Sequence, residues 1–433
     1  MMIWTRMMAA VVMILVLVAT ASGQGLPRVK NPEEVGLSSE RLKRLSTGLK
    51  SDIEKGDIPG AVVIILRKGK IAYYEAFGYR DREKKLPMTR DSIFAVASMT
   101  KPFTSLAVMM LAEEGKIQII YPVSRYLPEF KDLKVGVEKK DEATGKTELT
   151  LEPASREITV QDLLRHTSGL TYGIFGKSLV KDRYNAVNAM DQNQTTAEMA
   201  RKLAQLPLQY QPGTTWEYSM STDLLARIVE VASGVEFDTF IAERIAKPLK
   251  LSDTGFWAEG TNRQSRIAFP QVDPATGSRP PIRDMTQKPR WMSGGGGMMS
   301  TAADYARLCQ MFLNGGTLDG ARLVSRKTVE LMSSNHLPPG VKYGPLITVQ
   351  FAGIGPTPEE GQGFGLGFAV RMEPGRSPLP GSVGDYFWAG AYGTYFWIDP
   401  KEKLIAVFMM QAPALRLHYR YLMRHYVYQA IAD

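Results

Sequence analysis

Leu42, Leu45 and Leu49 recur at helical spacing within GLSSERLKRLSTGLKSDIEKGDIPG, and Gly56 and Pro59 close the pattern. The stretch predicts an amphipathic helix with one apolar face. The period then shortens. AVVIILRKGKIAYYEAFGY holds two β-rich runs around Gly69, which predicts a hairpin. Three more β-rich runs lie near the other end, FGLGFAVRM, GTYFWIDP and KLIAVFMMQ, with DPKEK as the turn between the last two. LHYRYLMRHYVYQAIAD closes the chain as a helix. The middle holds capped helices. ITVQDLLRHTSGL starts with Thr159 and Asp162 as a T-x-x-D box and stops at Gly169, and STAADYARLCQMFLNGG repeats that grammar with Thr301, Asp304 and Gly315. YSMSTDLLARIVEVASG is apolar at Leu224, Leu225, Ile228 and Val231 before Gly234. KVGVEKKDEATGKTELTLE predicts a charged surface hairpin, ATGSRPPIRD a loop, and no repeat of fixed period is present.

Strands from both ends and helices from the middle predict an α/β (α+β) fold in one discontinuous domain, residues 24–433. Its antiparallel sheet would come from about 24–97 and 340–433, and its mostly helical part from about 98–339. The two terminal helices would cover one face of the sheet and the middle helices the other.

Residues 1–23 stand outside this plan. Arg6 precedes an apolar core, Met7 to Val18, that is short for a membrane span, and Ala19-Thr20-Ala21 or Ala21-Ser22-Gly23 offers small residues for cleavage. This reads as an export signal, with an uncleaved membrane anchor as the alternative, and it places the mature protein in the periplasm or outside the cell. Cys309 is the only cysteine, so no intramolecular disulfide can form and no lipid can be attached near the signal. The net charge of +9 is spread along the chain and interleaved with acids, as in YRDREKKLPMTRD. No nucleic-acid motif accompanies it, so nucleic acid is not an expected partner.

Candidate chemistry begins at SMTK, Ser98 to Lys101, which opens the apolar run PFTSLAVMMLAEEG. Pro102 fits only the first turn of a helix, so the helix starts near Ser98 and Lys101 lies one turn on. The serine hydroxyl would sit at a helix N-terminus, where amides favour developing negative charge. The run is apolar on nearly every side, so the helix is buried, and burial disfavours an uncompensated ammonium. That suits Lys101 to act as a base. A second S-x-x-K, Ser178 to Lys181, lies in the polar GIFGKSLVKDRY and is expected at the surface. A Ser-His-Asp triad finds no support. The four histidines are His166, at a helix end where it would cap carbonyls, His336 in a loop, and His418 and His425 on the last helix. No G-x-S-x-G elbow exists, and no cluster suggests zinc. The SGGGGMM loop lacks the GK[ST] of a phosphate loop and is expected to serve close backbone approach.

SMTK, LLRHTSGL, PGTTWEYSMSTDLLARIVEVASG, GGGGMMSTAADYARLCQMFLNGG and WAGAYGTYFWIDPKEKLIAVFMMQ occur in the order seen in the serine β-lactamase-like family. The chain resembles that family over about residues 30 to 430. The family includes class C β-lactamases, D-Ala-D-Ala carboxypeptidases and serine esterases. The resemblance implies the β-lactamase/transpeptidase-like fold. It also implies Ser98 as acylated nucleophile, Lys101 as its lysine, Tyr218 as the tyrosine base, and the backbone amides of Ser98 and Ala391 as oxyanion hole. The third motif would be Trp388 to Gly390. Read as residues alone, Tyr218 and Trp388 are equally at home as core aromatics.

Two positions depart from the family pattern. The tyrosine motif ends in Met220 where relatives commonly carry Asn, and the third motif begins with Trp388 where many carry Lys. Both changes remove polar groups suited to a β-lactam, and a Trp-x-Gly third motif resembles the esterase branch. Met220, Trp388 and Gly390 are therefore expected at the substrate. The reading is an exported serine hydrolase of carboxylic esters, with Lys101 and Tyr218 taking the Ser98 proton. The alternatives are a β-lactamase or carboxypeptidase, and a non-catalytic ligand sensor of the same fold. The expected partner is a small-molecule ester or amide. No metal, cofactor or stable membrane insertion after signal cleavage is implied.

Overall fold

The computed structural model describes residues 25–433 except 274, 346, 348–350 and 352–354. The expected export signal, residues 1–23, lies outside the described residues. Helix α1 spans Ser39–Lys55, capped by Ser38 and ended by Gly56 in the left-handed conformation. Strands β1 (Gly60–Arg67), β2 (Lys70–Asp81) and β3 (Leu86–Pro87) follow. Helices α2 (Lys101–Glu113), α3 (Ser221–Ser233) and α4 (Ala302–Leu313) come from the middle. Strands β4 (Gln362–Phe364), β5 (Ala369–Arg371), β6 (Tyr386–Ala389), β7 (Tyr395–Asp399) and β8 (Leu404–Met410) precede the last helix, α5 (Arg416–Tyr428).

The strands form one antiparallel sheet in the order β4-β5-β6-β7-β8-β1-β2-β3. The two chain ends meet where β1 pairs with β8, Val63 opposite Phe408. Every residue of both strands is buried, because helices cover both faces there, and the sequences accordingly run apolar without alternation. On one face α5 packs against α1: Tyr419 Oη donates to Asp52 at 2.9 Å, and the Tyr419 ring stacks on Phe408 of β8. On the other face α4 packs on β1 and β8, and Tyr305 meets Phe396 of β7 at 4.9 Å. This is the predicted layering.

Three local expectations change. FGLGFAVRM is two strands, β4 and β5, because Gly365 to Gly367 turn the chain, and Gly367 passes directly over the Ser105 side chain of α2. The WAG motif ends a strand, β6, too short to show alternation and buried at all four positions. The Thr159 helix stops at Leu164, well before Gly169, since His166 takes φ 58° and reverses the chain. The surface hairpin forms as expected, Lys134–Lys140 against Thr147–Pro153.

Candidate active site

Ser98 lies in a 3-10 turn, Ala97–Thr100, that runs directly into α2. The turn is held from several sides. Val96 N–H donates to the Met298 carbonyl, the Met99 carbonyl accepts from Tyr305 Oη of α4, and Thr100 Oγ1 accepts from Met298 N–H. Ala97 has φ 44°, a conformation that costs a non-glycine residue about 1–2 kcal/mol, and these bonds hold it there. From the sheet, Gly390 at the end of β6 comes so close that a Cβ would lie 2.5 Å from the Val96 carbonyl. A side chain at 390 would push the strand off the serine turn. The Ala391 amide beside it hydrogen-bonds to nothing among the described residues.

Lys101 is 1% exposed. Its Nζ donates to the Gly295 carbonyl at 2.7 Å and to Tyr172 Oη at 3.4 Å, and lies 4.5 Å from the centre of the Tyr218 ring. The surroundings of the amine are thus not wholly apolar: a carbonyl, a hydroxyl and a ring face meet it. The SGGGGMM loop supplies that carbonyl. Gly294 packs so tightly that a Cβ would lie 2.7 Å from both Ala226 Cβ and the Thr222 carbonyl of α3, and Thr104 of α2 donates to its carbonyl. Close backbone approach is therefore what the glycines provide.

Asp223, in the first turn of α3, was not singled out in the sequence. It is 1% exposed and accepts from Ser293 Oγ at 2.5 Å, from Gly295 N–H at 3.0 Å and from Tyr172 Oη at 3.4 Å. Burial raises its carboxyl above the usual range, while the Lys101 ammonium and these donors oppose that. Burial, with Asp223 and Tyr218 nearby, holds the Tyr172 phenol well above its usual range, so Tyr172 stays protonated. The chain Lys101 to Tyr172 to Asp223 is then directed, each group donating to the next. The one signal in the sequence was a lone acid opening an apolar helix, five positions after Tyr218.

Tyr218 is enclosed by rings: His166 at 5.0 Å, Phe351 at 5.2 Å, Trp388 at 5.5 Å and Tyr172 at 5.6 Å, with Trp216 stacked at 6.0 Å. His166 does not cap carbonyls through its ring. The imidazole is buried, contacts Ser219 Oγ at 3.3 Å, and is held neutral by burial and by the charge of Lys101.

A cavity of about 380 Å³ opens above this arrangement. Ser98, Tyr218, Trp388 and Ala391 line it together, with Phe175, Phe351 and Phe387 among its apolar walls. Serine, tyrosine and third motif thus share one cavity, and Lys101 lies beneath the tyrosine ring.

Residues 44–422 match the Beta-lactamase family model. The chain belongs to the β-lactamase family. It is a serine hydrolase of that fold. It is 35% identical over 363 residues to Protein Rv1367c of Mycobacterium tuberculosis, covering 83% of this chain and 87% of that protein. It is 31% identical over 365 residues to Esterase EstB of Burkholderia gladioli, covering 82% and 86%. Among solved structures it is similar to EstCE1, described as a hydrolase with promiscuous acyltransferase activity, with TM-score 0.73, 28% identity, and coverage of 90% of this chain and 99% of that one.

Within this β-lactamase fold the two departures play out differently. Trp388 lines the cavity as expected, but it is more than an apolar face: its Nε1–H points to Tyr218 Oη at 3.4 Å. Met220 is a correction. It is fully buried and takes no part in the cavity wall, because it stands at the N-cap of α3 with its side chain in the core. Gly390 also contributes no wall, and acts through its close approach to Val96. Two cations nevertheless stand at this cavity. Arg416 and Arg420, one turn apart on α5, line the cavity. Arg420 is 4% exposed, donates to the Gly390 carbonyl at 2.9 Å, and keeps a buried Nε–H without a partner among the described residues. Burial lowers its pKa to about 10. Their spacing was visible in the sequence, but nothing there turned that helix face toward Ser98.

The second S-x-x-K is the other correction. Ser178 caps a helix by accepting from Lys181 N–H, but Lys181 is buried. Its ammonium pairs with Glu217 at 2.9 Å and donates to the Phe175 carbonyl at 2.5 Å. The polar sequence concealed a partner that lies next to Tyr218, distant in the chain.

Proposed function

We propose that the protein is an exported hydrolase of carboxylic esters. Ser98 attacks the ester carbonyl, and Lys101 with Tyr218 accepts its proton. The alcohol leaves, and water activated by the same pair releases the acid and restores Ser98. The amides of Ser98 and Ala391 are suited to hold the oxyanion. The observation that carries the reading is the cavity itself: Ser98 and Tyr218 open into a space walled by Trp388, Phe351 and Phe387, which favours an apolar acyl or alcohol group.

Arg416 and Arg420 support a second reading, in which the substrate presents a carboxylate, as a β-lactam does. Comparing p-nitrophenyl butyrate with nitrocefin separates the two. An ester leaves as an alkoxide with little need of a general acid, whereas an amide nitrogen must be protonated. The ester is expected to exceed nitrocefin in kcat/KM by about 100-fold, or about 2.7 kcal/mol of transition-state binding. Equal rates would favour the second reading.

Export rests on Arg6, the apolar Met7 to Val18 and the small residues after it. Amino-terminal sequencing of exported material is expected to begin between Ser22 and Gly25. Met1 retained in a membrane fraction would show an anchor.

A further inference from the structure

Asp223 has two carboxylate oxygens, and each holds one of the two groups that receive Lys101. Oδ1 accepts from Gly295 N–H at 3.0 Å and from Ser293 Oγ at 2.5 Å, and the carbonyl of the same Gly295 accepts from Lys101 Nζ at 2.7 Å. Oδ2 accepts from Tyr172 Oη at 3.4 Å, and that hydroxyl is the second acceptor of Lys101, again at 3.4 Å. These groups meet without a gap. A Cβ on Gly295 would overlap the Asp223 carboxylate and lie 2.9 Å from Tyr172 Oη. The carboxylate itself stands in the first turn of α3, where the free amides of a helix start suit a negative charge.

The donors and acceptors set a direction. At the moment it takes a proton an amine is neutral, with two N–H groups and one lone pair. The Gly295 carbonyl can only accept. An ionised Asp223 can only accept too, so Tyr172, which can do either, gives its hydrogen to Asp223 and offers Lys101 a lone pair. Two acceptors then take both N–H groups of the amine, and no hydrogen from this network caps its lone pair.

We infer that Asp223 is a positioning residue for the base: as a carboxylate it orients both acceptors of Lys101, so that the lone pair of the amine stays free for the Ser98 proton. When Ser98 Oγ bonds to the acyl carbon, the carbonyl electron pair moves to its oxygen and the serine proton ends on Lys101 as a third N–H. The new charge then lies one hydroxyl away from the Asp223 carboxylate. This inference rests on the reading of Lys101 as base.

The test is a double-mutant cycle on p-nitrophenyl butyrate. Asp223→Asn keeps the shape of the side chain and removes its charge. The amide oxygen has to stay on the fixed donor, Gly295 N–H, so its NH2 faces Tyr172. The phenol then accepts from the amide and turns its own hydrogen onto the Lys101 lone pair, which blocks the base. kcat is expected to fall about 300-fold, with KM within about twofold. Tyr172→Phe takes away one acceptor but puts nothing on the lone pair, and is expected to lose only about tenfold. The double variant is expected to recover to about 30-fold below the unaltered protein, whereas independent losses would multiply to about 3,000-fold. A side chain that only braced the fold would give no such recovery.

An Asp223→Asn enzyme within about threefold of the unaltered kcat overturns the inference, and so does a double variant no faster than Asp223→Asn. If Asp223→Asn does not fold, judged by urea titration, Tyr172→Phe decides: a loss in kcat of about tenfold at constant KM supports the inference, and an unchanged kcat overturns it. If the ester is not hydrolysed, the ester reading fails, and the rate at which a fluorophosphonate labels Ser98 carries the same comparison. A Lys101→Met enzyme that keeps its rate removes the base, and this inference falls with it. A Lys101→Met enzyme that loses its rate beside an unimpaired Asp223→Asn enzyme overturns the inference alone.

Discussion

Ser98→Ala is expected to lower ester hydrolysis by at least about 10⁴-fold, or about 5.5 kcal/mol in the transition state. The substitution removes one oxygen and leaves the scaffold intact, since the turn is held by the backbone and hydroxyl bonds of Val96, Met99 and Thr100 rather than by the Ser98 side chain. Stability in urea is expected to stay close to that of the unaltered protein. Intact mass after a fluorophosphonate probe is expected to show one adduct, at residue 98. Ser178→Ala is the control. It loses a helix cap, worth about 1 kcal/mol of stability, and keeps its hydrolytic rate. An adduct elsewhere, or an active Ser98→Ala enzyme, would remove Ser98 from the chemistry.

Lys101→Met is expected to lower kcat by about 10³-fold with little change in KM, because the lysine does not itself line the cavity and acts through the proton of Ser98. Methionine matches the length of the side chain but leaves the Gly295 carbonyl without its donor and Asp223 without the nearby positive charge. Some loss of stability is therefore expected too, and an urea titration measures it separately. The distinguishing readout is the fluorophosphonate reaction, which should still reach Ser98 but at a rate reduced in step with kcat. Lys101→Arg should not restore activity, since a guanidinium does not give up its proton. A Lys101→Met enzyme that folds normally and keeps kcat would leave Tyr218 as the base without the lysine.

Much of this site was legible in the chain because the relevant signals are local. Pro102 after Lys101 marks a helix start, and four successive glycines mark a close approach whether or not one knows to what. The sheet was legible for the same reason: β1 and β8 are covered on both faces and so read as unbroken apolar runs. What stayed hidden depends on partners far away in sequence. Lys181 looked solvated because its neighbours are polar, and Glu217 lies outside that window. Asp223 could be seen as a lone acid, but its role needs Tyr172, Ser293 and Gly295 around it. Met220 misled in the opposite direction. Its place in a motif suggested contact with substrate, whereas the side chain turns into the core at the helix start.

The pairing of β1 with β8 also sets an order of events for the nascent chain. Val63 finds Phe408 only when almost all of the protein has been synthesised, and α1 finds Tyr419 later still. Until then the most apolar strand of the amino-terminal half has an open edge, and the serine turn lacks the support it later receives from Gly390 and Gln411. Contacts of such long range close slowly. The serine turn is therefore expected to reach its full set of contacts only once β8 and Gln411 have been made.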